Sequence, residues 1–146
     1  MGIDDAFFND YTKIFGKLYE KIPKQLIHGN PTGDAIAYEN GEVVGIKGYE
    51  IYNVSHTRLF DIVWCAGPAD HAESFEACIA MFKEILKGYD SLNLLTAEEK
   101  QSIYYVWCAA NLNTTTYGVD TSDLSNRGLK AIDFLTEKKE MFLNLL

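Results

Sequence analysis

The sequence is short of cysteine and has no Cys-x-x-Cys pair. Cys65, Cys78 and Cys108 are odd in number and far apart, which excludes zinc-finger spacing and a disulfide framework. The expectation is three core thiols in a reducing, cytoplasmic setting. Positive charge is also scarce: 13 Lys and Arg stand against 21 Asp and Glu, a formal charge of −8. Non-specific binding to nucleic acid or to an anionic membrane needs a basic face, so neither partner is expected. No apolar run approaches the roughly 20 residues that span a bilayer. The first residues lack the basic stretch and apolar run of a secretory signal. Internal repeats, low-complexity segments, linkers and a Gly-x-Ser-x-Gly elbow are likewise missing. His56 and His71 have no second ligand at metal-binding spacing and read as surface or capping residues.

What is present suits a single domain over residues 1–146. Hydrophobic residues make up 47% of the chain, with eight Phe, nine Tyr and two Trp. A domain of this length buries roughly 70% of its unfolded surface. Phe7, Phe8, Tyr11, Ile14, Phe15, Leu18, Tyr19 and Ile22 recur at three- and four-residue spacing and predict an amphipathic helix over 4–22. Pro23 stops it. A Gly- and Pro-rich loop over 26–34 follows, then a hairpin: a strand at 35–38, an Asn40-Gly41 turn and a return over 43–49. Residues 52–55 read as loop, and a short helix runs from 56 or 57 to 65.

Gly67-Pro68 breaks the chain before a long helix over 70–87, with Asp70 and Glu73 at capping-box spacing and Gly88 as a stop. Thr96 and Glu99 repeat the capping spacing and open a helix through Ala110, which the polar run 111–116 ends or loosens. A last helix covers 122–143. Trp64, Trp107, Tyr104 and Tyr105 fall on apolar helix faces and read as core. The expected fold class is α+β, predominantly helical, with about five helices and one small hairpin after the first.

One stretch carries a chemical pattern. Leu26-Ile27-His28-Gly29-Asn30-Pro31-Thr32-Gly33-Asp34-Ala35 is followed, after the hairpin turn, by Val43-Val44-Gly45-Ile46-Lys47-Gly48-Tyr49-Glu50. This resembles the catalytic core of the aminoglycoside phosphotransferase, choline kinase and homoserine kinase superfamily. Its pattern is L-I-H-G/R-D-x-x-x-x-N, a hairpin, then V-x-G-x-I-D-F/W-E. Arg58-Leu59-Phe60-Asp61-Ile62-Val63-Trp64 matches the family's x-x-F-D-L/I segment. The order helix, loop, hairpin, helices is similar to the C-terminal lobe of the kinase-like fold.

The resemblance implies a scaffold without its reacting groups. Asn30 stands at the catalytic Asp, Ala35 at the metal-binding Asn and Gly48 at the metal-binding Asp. An amide is a negligible base, and loss of a general base typically costs about 10² to 10⁴ in rate. Ala and Gly offer no side-chain oxygen to magnesium. His28 and Asp61 correspond to supports of the loop, Asp61 by accepting backbone N–H bonds. Asn30, Asp34 and Glu50 remain as candidate residual ligand contacts. Only 27 residues precede His28, so a nucleotide-binding N-terminal lobe is not expected.

The resulting expectation is an inactive binding or structural module, with no metal or cofactor. A homo-oligomer or a protein partner would cover the face that the absent lobe leaves. The alternative is a component of a phosphotransferase for an amino alcohol, aminoglycoside or homoserine-like hydroxyl compound, using Mg-ATP with a nucleotide lobe from a partner chain.

Overall fold

The computed structural model describes residues 5–31, 33–48, 55–66, 74–92, 95–117 and 122–145, and within these the side chains of all but 113–117 and 122–128. The fold is α+β and mainly helical, with a small hairpin. Helix α1 (Asp5–Lys21) opens it. Phe15 is buried; Phe7, Tyr11, Leu18 and Tyr19 are partly buried against the core, while Phe8 and Ile14 face outward. Lys24 donates to the carbonyl oxygens of Tyr19 and Ile22 and closes the helix end.

The loop expected over 26–34 begins in a strand. β1 (Gln25–Leu26) pairs antiparallel with the later β4 (Ser55–His56), Gln25 opposite His56 and Leu26 opposite Ser55. A two-residue ladder is too short to leave an alternation signal in the sequence. A 3-10 turn at Gly33–Ala35 precedes β2 (Ile36–Glu39), so Ala35 lies in that turn and outside the strand. Asn40 and Gly41 both have positive φ, 52° and 83°, as a type I′ turn requires. β3 (Glu42–Ile46) returns with an irregular register at Val44, which has no partner opposite it.

Six helices are present among the described residues, one more than expected. α2 (Leu59–Cys65) follows β4. α3 (Phe75–Asp90) is capped by Ser74, whose Oγ accepts the Ala77 N–H at 3.1 Å; Asp70 and Glu73 lie outside the described residues. The helix runs through Gly88 and ends at Ser91, whose hydroxyl donates to the Gly88 carbonyl at 2.6 Å. Glycine weakens a helix interior by only about 1 kcal/mol, less than the packing of this helix supplies.

α4 (Ala97–Tyr117) is the central element and packs against α1, α2, α5 and α6. Thr96 and Glu99 form the capping box: the Glu99 carboxylate accepts the Thr96 N–H at 2.8 Å, and Thr96 Oγ1 accepts the Glu99 N–H at 3.2 Å. Residues 102–108 are all buried, the mark of a helix surrounded on every side. That enclosure carries the helix through the polar run expected to end it. Buried Asn111 stays helical by donating to the Trp107 carbonyl at 2.9 Å. The single terminal helix expected over 122–143 is two, α5 (Ser122–Glu137) and α6 (Lys139–Leu143). The break at Lys138 accompanies burial of Phe142 beside Trp107 and Tyr104 and an ion pair between Lys139 and Asp10.

Candidate functional site

The loop between β1 and the 3-10 turn is held by α2 and by the base of the hairpin. Asp61, on the first turn of α2, directs both carboxylate oxygens at it. Oδ2 accepts the His28 N–H at 2.7 Å and Oδ1 accepts the Gly29 N–H at 2.9 Å. Gly29 has φ 88°, a conformation that glycine adopts without a Cβ penalty. Two N–H groups on one carboxylate are charge-assisted bonds, stronger than neutral ones.

His28 is buried and spans the site. Its Nε2 lies 2.8 Å from the Lys47 carbonyl oxygen, and Nδ1 accepts the Asn30 N–H at 3.3 Å. A carbonyl only accepts and an N–H only donates, so the proton sits on Nε2 and the lone pair on Nδ1. Lys47 in turn donates its own N–H to the Ala35 carbonyl at 2.8 Å. One backbone network therefore joins His28, Asn30, Ala35 and Lys47, next to Gly48.

A further brace has no motif behind it. Cys65, one helical turn beyond Asp61, donates its thiol to the Pro31 carbonyl at 3.4 Å. Burial pushes this thiol up from its ordinary value, and the Asp61 charge adds to the effect. The only sequence signal is the four-residue spacing from Asp61, which puts both side chains on one face of α2.

α2 itself is anchored. Arg58 makes a bidentate contact with Glu99, Nε to Oε1 at 2.7 Å and Nη2 to Oε2 at 2.8 Å. The Glu99 side chain is fully buried. Burial pushes its carboxyl up, but Arg58 and the Thr96 N–H outweigh that and hold it below the ordinary carboxylate value. His56, just before α2, is half-buried between the rings of Tyr19 and Phe60, not a surface histidine. Burial and then the Lys24 charge lower its pKa.

The candidate residues are thus distributed in three ways. His28, Asn30 and Asp61 meet in the braced loop. Ala35 is buried with its carbonyl in the network, and Gly48 adopts φ 74° beside Lys47. Asp34 is exposed on the 3-10 turn. Glu50 and His71 lie outside the described residues. Among the described residues no group of three or more His, Cys, Asp or Glu could hold a metal ion, and no helix is long and apolar enough to cross a membrane.

No family model, curated protein or solved structure matches the chain.

Proposed function

We propose that this protein is a cytoplasmic, catalytically inactive relative of small-molecule phosphotransferase C-lobes that works as an interaction or structural module. The observation that carries the reading is the contrast at the loop. Its backbone is gripped by Asp61, His28 and Cys65, while the positions that would react bear Asn30, Ala35 and Gly48. Phosphoryl transfer depends on placed charge and bound magnesium. Neither Ala35 nor Gly48 has a ligating side-chain atom, and Asn30 has no carboxylate. These residues do not fit Mg-ATP.

Such a loop serves by its shape. It fixes the base of the hairpin through Lys47, and the hairpin carries Tyr38, Val43, Val44 and Ile46, each more than half exposed. Apolar patches of that kind mark contact surfaces, which supports a partner polypeptide or a second copy as the occupant.

Amide hydrogen exchange tests the role of the loop. His28 and Gly29 should be strongly protected without nucleotide, equally so with Mg-ATP, and exposed by Asp61→Asn. Protection that arises only on adding Mg-ATP would overturn the reading.

A further inference from the structure

His56 joins three elements. It ends β4, where it stands opposite Gln25 of β1. Its ring packs edge-to-face with Tyr19 of α1 and Phe60 of α2, the centroids 5.4 and 4.2 Å away. Its Nδ1 accepts the Thr57 N–H at 2.8 Å. Thr57 is fully buried and opens α2: its hydroxyl oxygen accepts the Leu59 N–H at 3.4 Å, and its carbonyl accepts the Phe60 N–H at 3.2 Å.

That arrangement holds only for the neutral ring. Nδ1 accepts an N–H only while it keeps its lone pair, so the proton of the neutral ring sits on Nε2. Protonation makes Nδ1 a donor that faces a donor. The titratable groups around the ring are Tyr19 and Lys24 at the end of α1 and Asp61 on α2. Tyr19 stays neutral, since burial raises its hydroxyl further. Lys24 already lies 4.2 Å over the face of the Tyr19 ring, so an imidazolium against the same ring meets a cation there. Asp61 attracts the new charge, but each of its oxygens is engaged by a loop N–H. Burial and then Lys24 prevail over Asp61 and keep the His56 pKa below its ordinary value.

The consequences of losing the Thr57 bond reach the loop from two sides. β1 runs directly into His28 and Gly29, and α2 carries the carboxylate that accepts their N–H groups. A ladder of two residue pairs has little stability of its own, so it depends on what holds its ends.

We propose that His56 is an acid-sensitive latch: the neutral ring ties β4 to α2, and its protonation loosens the β1–β4 ladder and the grip of Asp61 on the loop. The sign follows from the lowered value in the fold. The stability that the neutral ring contributes is complete above the ordinary imidazole value, near 6.5. It is lost as pH falls through the lower folded value.

Amide exchange at about pH 7.5 and about pH 5, on either side of the ordinary imidazole value, tests it alongside a nitrogen-15 titration of the His56 ring. Protection factors of Thr57, His28 and Gly29 in the wild type should fall roughly two- to tenfold over this range, the size of one backbone hydrogen bond. The fall should keep step with protonation of Nδ1. His56→Asn places an amide oxygen near the position of Nδ1 and removes the titration, so it should keep its protection at the lower pH. His28 is present in both chains, and the difference between them belongs to His56. Protonation of the ring without loss of protection at Thr57 and Gly29 would overturn the proposal. So would a ring still neutral at the lower pH, or an equal loss in His56→Asn. Where circular dichroism shows that variant unfolded, the wild type decides: exchange whose midpoint departs from that of Nδ1 would overturn the latch.

Discussion

At the scale of single residues Asp61 holds the loop. Its two N–H partners are adjacent in the chain, so one carboxylate orients two consecutive peptide units. Asp61→Asn keeps the shape but only one accepting oxygen and no charge. A hydrogen bond to a charged group is worth about 1.5–3 kcal/mol, and chemical denaturation should register a loss of about 2 kcal/mol. Gly48 offers the opposite case. Its φ of 74° is left-handed, and nothing lies within 4 Å of an added Cβ. Gly48→Asp therefore meets backbone strain without crowding, and should lower stability by about 1–2 kcal/mol. A smaller loss would mean that this position relaxes to accept an acidic residue. Asp61 and His28 were visible in the sequence only through the resemblance, since an isolated Asp in a helix reads as a surface charge. Cys65 was not visible, because its partner is a backbone carbonyl 34 residues away and carbonyls carry no sequence signature.

At the scale of elements, what is local was legible. The α1 stripe, the Asn40-Gly41 turn and the Thr96–Glu99 capping box follow from spacings of two to four residues. What depends on distant contacts was not. Gly88 and the polar run after Ala110 look like stops, yet burial of the surrounding helices outweighs propensity. The break at Lys138 follows from where Phe142 and Lys139 find partners across the molecule. Glu99 joins the two kinds. It is a capping residue by spacing and, through Arg58, the tie between α2 and α4. Its carboxyl is held below the ordinary value in the fold. The stability it contributes is therefore complete above the ordinary carboxylate range, near 4.3, and is lost as pH falls through the depressed folded value. Glu99→Gln should cost about 2–3 kcal/mol at neutral pH, because the buried carboxylate charge facing Arg58 is lost. It should also flatten the acid limb of the stability curve; an unchanged acid limb would remove Glu99 from that role.

At the scale of the whole molecule, a helical body built round α4 supports a small platform made of the loop and the hairpin. The chain runs from β1 through the loop to the hairpin, and α2 secures the loop from behind with Asp61 and Cys65. Among the described residues this platform holds the buried His28, bonded to the Lys47 carbonyl and the Asn30 N–H, and the exposed apolar side chains of the hairpin. The fold class was legible because helical periodicity dominates the sequence. The platform's outward face was not, because an alternating hairpin reads the same whether its apolar side is covered or bare. We propose that the loop is retained without nucleotide chemistry. Calorimetric titration with ATP, with and without magnesium, tests it most directly. No heat of binding and no thermal stabilisation should appear under either condition, whereas micromolar binding that requires magnesium would mean that the loop still serves a nucleotide.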